Sequence, residues 1–103
     1  YIQIYNCMGF LMQVEIETVN ANIHSAKKPV MTIKSMAAGR CTPFVGLNFS
    51  WNTLRECDMV TLGCFTEREV HEDVEISFAA LERRRPNLER RASPNQNQAA
   101  FGK

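Results

Sequence analysis

Three short apolar runs with strand character alternate along this chain with three segments of helical character. The strand-like runs, rich in β-branched, aromatic and other large apolar residues, are 1–6, 30–34 and 59–62. The helical segments are predicted at about 13–27, 49–56 and 66–83. Strands that alternate with helices imply right-handed crossovers and a parallel sheet, which is normally covered on both faces. We therefore expect an α/β fold in which three parallel strands alternate with helices.

Local signals refine the helices. Pro29 stops the first one, and Thr66 to Glu69 fits a capping box for the last, in which the threonine accepts from the N3 amide while the glutamate reaches back to the cap amide. The second helix should bury Trp51 and Leu54. The buried stripe predicted for the last helix consists of Val70, Val74, Phe78 and Leu81.

The composition changes after Arg83. Residues 1–83 are predicted to form the folded βαβαβα unit, and residues 84–103 a basic, polar and disordered tail, because they offer little apolar surface to bury. The first residue, Tyr1, lies in a strand-like run, so we expect an upstream part of the protein to be missing.

Overall composition excludes several classes of function. With 103 residues the chain has room for one small domain, and its formal net charge of +1 gives no general basis for binding nucleic acid. No apolar run is long enough to span a membrane. None of the four cysteines forms a Cys-x-x-Cys pair, so no metal site is predicted; Cys7, Cys57 and Cys64 are expected to be buried thiols in a reducing cytoplasm.

The segment with the most chemical promise is 30–40, where an apolar strand ends in Lys34, a turn of small residues and Arg40. Such strand ends form the ligand-binding face of parallel α/β enzymes. Lys34 is the candidate catalytic residue: partial burial would lower its pKa and allow a Schiff base, or its charge could hold an anion. The alternative is that the strand simply emerges into solvent there.

A phosphate-type site is predicted beside this lysine. Gly39, Arg40, Gly63 and the amides after Thr66 would bind an anionic small molecule at the loops that follow the second and third strands. The alternative is that both glycines only permit turns.

The three strands, in order, resemble strands six to eight of the aldo-keto reductases, a family of (β/α)₈ barrels. Residues 1–6 (Tyr-Ile-Gln-Ile-Tyr-Asn) resemble the sixth, with its Gln before Tyr-Asn or Tyr-Ser. Residues 30–40 resemble the seventh, which ends in a Pro-Leu-Ala-Gly-Gly type of turn, and residues 59–73 the eighth strand with its helix. The resemblance covers about 80 residues and implies a partial (β/α) barrel of three βα units.

The resemblance also implies roles for particular residues. Gln3 would bind the nicotinamide carboxamide of NADP, and Gly63, Thr66, Glu69 and Asp73 match the positions that hold the adenosine phosphate end. Glu69 and Asp73 depart from the family's Gln and Asn, and two carboxylates would repel a phosphate. The family's catalytic Asp, Tyr, Lys and His lie on strands before the sixth, so this fragment would not transfer hydride alone.

Three hypotheses follow from the sequence. The first is a partial barrel without independent catalysis, whose exposed sheet edges would lead it to self-associate or to pair with an absent half of the barrel. The second is a stand-alone protein, either ligand-binding or catalytic, that uses Lys34 and Arg40 on an anionic or phosphate-bearing ligand, with Lys34 as the candidate catalytic residue. The third is an interaction module that uses the sheet edges and the basic tail.

Overall fold

The computed structural model describes residues 1–88 and confirms the alternating order of strands and helices. In chain order the elements are β1 (Ile2–Ile4), α1 (Ile16–His24), β2 (Met31–Ile33), α2 (Pro43–Thr53), β3 (Met59–Val60) and α3 (Glu67–Glu82). The strands form one parallel sheet in the order β1-β2-β3. The α/β class and the parallel pairing are therefore confirmed. Consecutive strand order is shared by barrels and by halves of open sheets, so the barrel stays a prediction.

The register of the sheet aligns the three strands closely. Ile2 pairs with Met31, which in turn pairs with Met59, and Thr32 lies between Gln3 and Val60 in the next row. Because all three strands run the same way, their carboxyl ends meet at one edge of the sheet. The loops that follow β2 and β3 leave from that edge side by side.

One face of the sheet carries the hydrophobic core. Tyr5, Val19, Ile23 and Val30 are buried together, and Phe49 of α2 packs against them, with ring centroids of Tyr5 and Phe49 5.1 Å apart. Each such buried side chain stabilises the fold by about 1.5–3 kcal/mol. The Tyr5 hydroxyl is satisfied as well, since it donates to Thr53 Oγ1 at 2.7 Å and accepts from Asn20 Nδ2 at 2.9 Å. Thus α1 and α2 both lie on this face.

The opposite face of the sheet is apolar but not covered within residues 1–88. Ile2, Met31 and Met59 form one cross-strand row there and are exposed to 69%, 37% and 43%. The expectation that the strands would be covered on both faces is therefore wrong for the part of the chain described. The physical reason is that α1 and α2 pack on the same face of the sheet and α3 packs on α2, so no helix within residues 1–88 covers the opposite face.

The predicted face of α3 is the wrong one. Val70, Val74, Phe78 and Leu81 are 41–55% exposed, whereas Ile76, Ala79 and Ala80 are buried. α3 packs on α2, and its small alanines allow the two helices to approach closely. The large apolar stripe faces outward instead.

The turn before β3 is fixed by a buried carboxylate that the sequence did not mark as important. Asp58 Oδ1 accepts from the amide of Val30 at 2.9 Å, and its Oδ2 accepts from the amide and the Nε of Arg55, both at 3.0 Å. Arg55 also donates to the carbonyls of Ala26 and Lys28. This network joins the end of α2 to the start of β2 and sets the position of β3.

The chain beyond α3 returns along that helix. Arg83 adopts the left-handed conformation that ends α3, with φ 58°. Arg84 then donates to Glu75 at 2.6 Å, and the amide of Asn87 donates to the same carboxylate at 2.7 Å. The first residues of the predicted tail are thus held on α3; residues 89–103, on which the rest of that prediction falls, lie outside the described part of the chain.

Candidate functional site

A cleft of about 1060 Å³ opens at the carboxyl ends of β2 and β3. One wall is the loop from β2 to α2 together with the first residues of α2, and the other is the loop after β3 together with the first turns of α3. Five of the six predicted site residues line it, namely Lys34, Gly39, Arg40, Gly63 and Thr66. The sequence prediction that these residues share one edge of the sheet is consistent with this placement.

Gln3 is not brought to the cleft. It lies in the middle of β1, paired in register with Thr32, and its Nε2 donates to the carbonyl of Ile4 at 2.9 Å. Because alternate strand residues share a face, Gln3 points to the same side as Tyr5, toward α1. The role that the family resemblance implied for Gln3 therefore finds no support in its position.

The loop after β2 has an unusual backbone. Lys34, Ala37 and Ala38 have φ values of 62°, 54° and 56°, and Gly39 has 83°. Only glycine adopts this left-handed region without a penalty, and other residues lose on the order of 1 kcal/mol each. Of the two glycines singled out in the sequence, Gly39 has a left-handed conformation that favours glycine, whereas Gly63 does not. Such strain is retained mostly where a loop serves a ligand.

Ser35 is the most informative side chain of this wall. The residue is 2% exposed, lines the cleft, and its Oγ has no hydrogen-bond partner among the described residues. Buried hydroxyls are almost always hydrogen-bonded. Among the described residues Ser50 Oγ, Trp51 Nε1 and Ser77 Oγ are also unpartnered, and Ser35 is the one of these four residues that lines the cleft, where a bound group can partner it. The loop is pressed onto α2 at this point, because a Cβ at Gly46 would lie only 2.8 Å from the Ser35 carbonyl oxygen.

Two cations of the same loop, Lys34 and Arg40, line the cleft together with Ser35. The Arg40 guanidinium lies over the ring of Phe10, with its Cζ 3.9 Å from the ring centroid, and Nη1 donates to the carbonyl of Ala37 at 3.2 Å. Lys34 is exposed. The burial on which the Schiff-base hypothesis depended is therefore missing, and Lys34 is left as a cation at the cleft.

The amino end of α2 adds to this positive wall. Thr42 caps the helix by accepting from the amide of Val45 at 3.3 Å, and Pro43 occupies the first helical position. Both residues line the cleft. The positive end of the α2 dipole thus points to the same side as Lys34 and Arg40. The sequence prediction had placed the start of this helix six residues later, at Phe49.

The amino end of α3, on the other wall, is already satisfied by its own side chains. Thr66 Oγ1 accepts from the amide of Glu69 at 3.1 Å, which confirms the first half of the predicted capping box. The Glu69 carboxylate bonds the amide of Phe65 at 2.7 Å, one residue before the expected cap amide. The amino end of α3 is therefore a weaker binding position for an anion than the amino end of α2.

Carboxylates make the α3 wall acidic. Arg68 bonds Glu72 at 3.1 Å, and the Cys64 thiol lies 3.4 Å from Asp73 Oδ2. Burial first, and then the neighbouring Asp73, raise the pKa of Cys64, which keeps this thiol protonated. Charged side chains thus lie on both walls of the cleft, with Lys34 and Arg40 on the β2–α2 side and carboxylates together with Arg68 on the α3 side.

The cysteines differ from their predicted burial. Cys57 is exposed, while Cys7 and Cys64 are half-buried. The sulfur atoms of Cys7 and Cys41 are 3.8 Å apart. Burial, followed by the hydrogen bond with Cys7, raises the pKa of Cys41 to about 11. The prediction of a buried Cys57 is wrong because the turn that exposes it is held by its neighbour Asp58.

Within residues 1–88, no group of three or more potential metal ligands is found. In the same part of the chain, no helix combines the length and the apolar character needed to cross a bilayer. Comparisons of the chain with protein-family models, with curated proteins and with solved structures found no match.

Proposed function

We propose that this protein binds a small ligand bearing one phosphate or a similar compact anionic group in the cleft at the carboxyl ends of β2 and β3. The observation that carries the proposal is the buried, unpartnered hydroxyl of Ser35. Ser35 lines the cleft, as do Lys34, which precedes it in the chain, and Arg40, which follows in the same loop. A phosphate oxygen would accept from this hydroxyl, and the two cations would neutralise the charge.

Each part of the wall has a distinct role in this proposal. Arg40 supplies a planar donor pair suited to two phosphate oxygens, and its contact with Phe10 holds it in place. Lys34 supplies a mobile point charge. The α2 end adds the favourable field of a helix amino terminus.

The acidic α3 wall limits which ligands fit. Glu69, Glu72 and Asp73 line the opposite side of the cleft and would repel a second phosphate that reached them. A monophosphate with a neutral or cationic remainder is therefore preferred over a pyrophosphate. By the same argument NADP, which only the family resemblance implied, is a poor ligand.

A thermal-shift series tests the proposal. Inorganic phosphate and a sugar monophosphate should raise the Tm of the full chain, NADPH should raise it less, and Lys34→Ala should reduce the rise. Lys28→Ala is the matched control, because Lys28 is also exposed but lies away from the cleft. No shift with any phosphate ligand would overturn the proposal.

The uncovered face of the sheet favours a second candidate. It is a sector of a (β/α) barrel similar to the aldo-keto reductases, without hydride transfer of its own. In a closed barrel the row of Ile2, Met31 and Met59 would face the filled interior. The outer edges of β1 and β3, unpaired within residues 1–88, would join further strands or a second copy of the chain.

A mutation on the uncovered face of the sheet distinguishes a barrel sector from a protein that folds and functions without further βα units. If the face is covered by further βα units, Met31→Glu should leave the isolated chain as stable as before but abolish its pairing with them. A monodisperse monomer that unfolds cooperatively and does not bind a hydrophobic dye would count against the barrel sector.

A further inference from the structure

Cys7 and Cys41 form a pair of thiols between two loops that leave the same edge of the sheet. Cys7 belongs to the loop after β1 and Cys41 to the loop after β2, 34 positions further along the chain. Their sulfur atoms are 3.8 Å apart, and both residues are half-buried free thiols. The sulfurs of a disulfide lie about 2 Å apart, so small rotations of the two side chains bring them to bonding distance.

The backbones that carry these thiols are held in place by other contacts. In the loop after β1, the fully buried Asn6 accepts from the amide of Phe10 at 2.8 Å. In the loop after β2, the amide of Cys41 donates to the carbonyl of Met36 at 3.3 Å, and the Arg40 guanidinium lies over the Phe10 ring. The fold thus presents the two thiols to each other, which raises their effective concentration above that in an unfolded chain.

The reactivity of Cys41 sets the order in which the two thiols react. Burial first, and then the hydrogen bond and the charge of Cys7, raise the pKa of Cys41 to about 11, so Cys41 is a poor first nucleophile. Once Cys7 is held in a mixed disulfide, its own part of this effect disappears. The Cys41 thiolate then forms more readily and can attack.

We propose that Cys7 and Cys41 are a redox-active pair, which a low-molecular-weight disulfide such as glutathione disulfide converts reversibly to an intramolecular disulfide. The Cys7 thiolate attacks glutathione disulfide, which gives a mixed disulfide and one glutathione thiolate. The Cys41 thiolate then attacks the Cys7 sulfur and expels the second glutathione thiolate. In total, two cysteine thiols lose two electrons and two protons, and one glutathione disulfide gains them as two glutathione thiols.

The disulfide acts on the cleft through the loop that follows β2. Cys41 lines the cleft, as do its neighbours Arg40 and Thr42, and its Sγ lies 3.8 Å from the carbonyl oxygen of Ser35. A bond from Cys41 to Cys7 ties this wall of the cleft to the loop after β1 and removes conformational freedom from both loops. The oxidised protein therefore has a cleft wall that opens less often, whichever ligand the cleft binds.

A glutathione redox titration of the Cys57→Ser protein tests the pair, because this substitution removes the exposed thiol that would form mixed disulfides. Intact mass and peptide mapping should show a loss of about 2 Da and a Cys7–Cys41 cross-link in the monomer, both reversed by dithiothreitol. Cys64 is the internal control: it is half-buried too, but its sulfur contacts Asp73, and it should stay a thiol. In about 6 M urea, the single cross-link should give way to a mixture of pairings.

Hydrogen exchange tests the consequence for the cleft. In residues 37–41, a turn held by its own backbone hydrogen bonds, amide exchange should be about threefold or more slower in the oxidised protein than in the reduced one. Cys7→Ser and Cys41→Ser, each added to Cys57→Ser, should show neither the mass loss nor the slower exchange. Three results would overturn the proposal: thiols that stay reduced in glutathione disulfide alone, a mixture of pairings in the folded protein, or exchange that oxidation leaves unchanged.

Discussion

The guanidinium of Arg40 lies over the ring of Phe10, with its Cζ 3.9 Å from the ring centroid. The two residues belong to different loops: Phe10 follows β1, and Arg40 follows β2. Phe10 is itself held by Asn6, whose side chain bonds both its amide, at 2.8 Å, and its carbonyl, at 3.0 Å. A fixed ring thus positions the cation that the proposed ligand would meet.

Phe10→Leu should weaken binding of a phosphate ligand by about twofold to fivefold, because it removes the aromatic face but keeps an apolar side chain. The free energy of unfolding should fall by no more than about 1 kcal/mol. Isothermal titration calorimetry measures the first quantity and urea unfolding the second. Phe44→Leu, on the exposed side of α2, is the control and should leave binding unchanged; equal losses in both variants would argue against the role given to Phe10.

Gly46→Ala should destabilise the protein by about 1–3 kcal/mol, because the new Cβ would lie 2.8 Å from the carbonyl oxygen of Ser35 and push the loop away from α2. The added Cβ would also meet Cys41 Sγ at 3.3 Å. Gly63→Ala is the matched control, since a Cβ there meets nothing within 4 Å. Urea unfolding should show the difference, and an equally stable Gly46→Ala protein would mean that the loop does not press on the helix.

Asp58 should make the protein acid-sensitive in a defined pH range. Burial alone raises the pKa of this carboxyl, but the hydrogen bonds from the Arg55 guanidinium and from the amides of Val30 and Arg55 outweigh it and lower the pKa to about 2, against an ordinary value of 3.8. A lowered pKa stabilises the fold above the ordinary value. That stabilisation, about 2 kcal/mol, is lost as the pH falls from 3.8 to about 2.

Asp58→Asn isolates this contribution. The variant should be less stable by about 2 kcal/mol at pH 7 and should approach the parent protein near pH 2. The pKa of Glu75 is lowered too, by its hydrogen bond with Arg84, but that group is present in both proteins and cancels in the difference. Urea unfolding at several pH values supplies the data; a gap between the two proteins that does not narrow in acid would contradict the assignment.

The thiols should react in the order of their exposure and pKa. Cys57 is exposed and should be alkylated first by iodoacetamide at pH 7. Cys41 should be slow, because its pKa of about 11 leaves almost no thiolate. Mass spectrometry of peptides from a time course reads both rates. If Cys41 reacted as fast as Cys57, the burial and hydrogen bonding assigned to Cys41 would be incorrect.

The sequence was most informative where the chemistry is local. Pro29, the Thr66 cap and the alternating apolar runs predicted the element order and one end of α3, because capping and periodicity act over a few residues. The Thr42-Pro43 pair carries an equally local signal for the start of α2, a capping threonine before a proline, although the predicted helix begins only at about residue 49.

Choices between faces could not be predicted in the same way. α3 has two sides that tolerate burial, a large apolar stripe and a side with Ile76, Ala79 and Ala80, and only the position of α2 decides between them. The roles of Ser35 and Asp58 likewise depend on contacts between distant parts of the chain, which no local pattern contains. In parallel α/β proteins, ligands bind at the carboxyl ends of the strands. This general rule depends only on the strands being parallel, and it correctly predicted that Lys34, Arg40 and Gly63 would line one cleft.

The most direct test of the proposed function is a titration of ¹⁵N-labelled protein with inorganic phosphate, followed by amide chemical shifts. We expect saturable shifts in residues 34–46, with little change in α1, and at least a fivefold weaker affinity, about 1 kcal/mol, for Arg40→Gln or Ser35→Ala. Lys28→Ala should titrate like the parent protein. Shifts that do not saturate, or that spread evenly over exposed lysines and arginines, would contradict a phosphate site in this cleft.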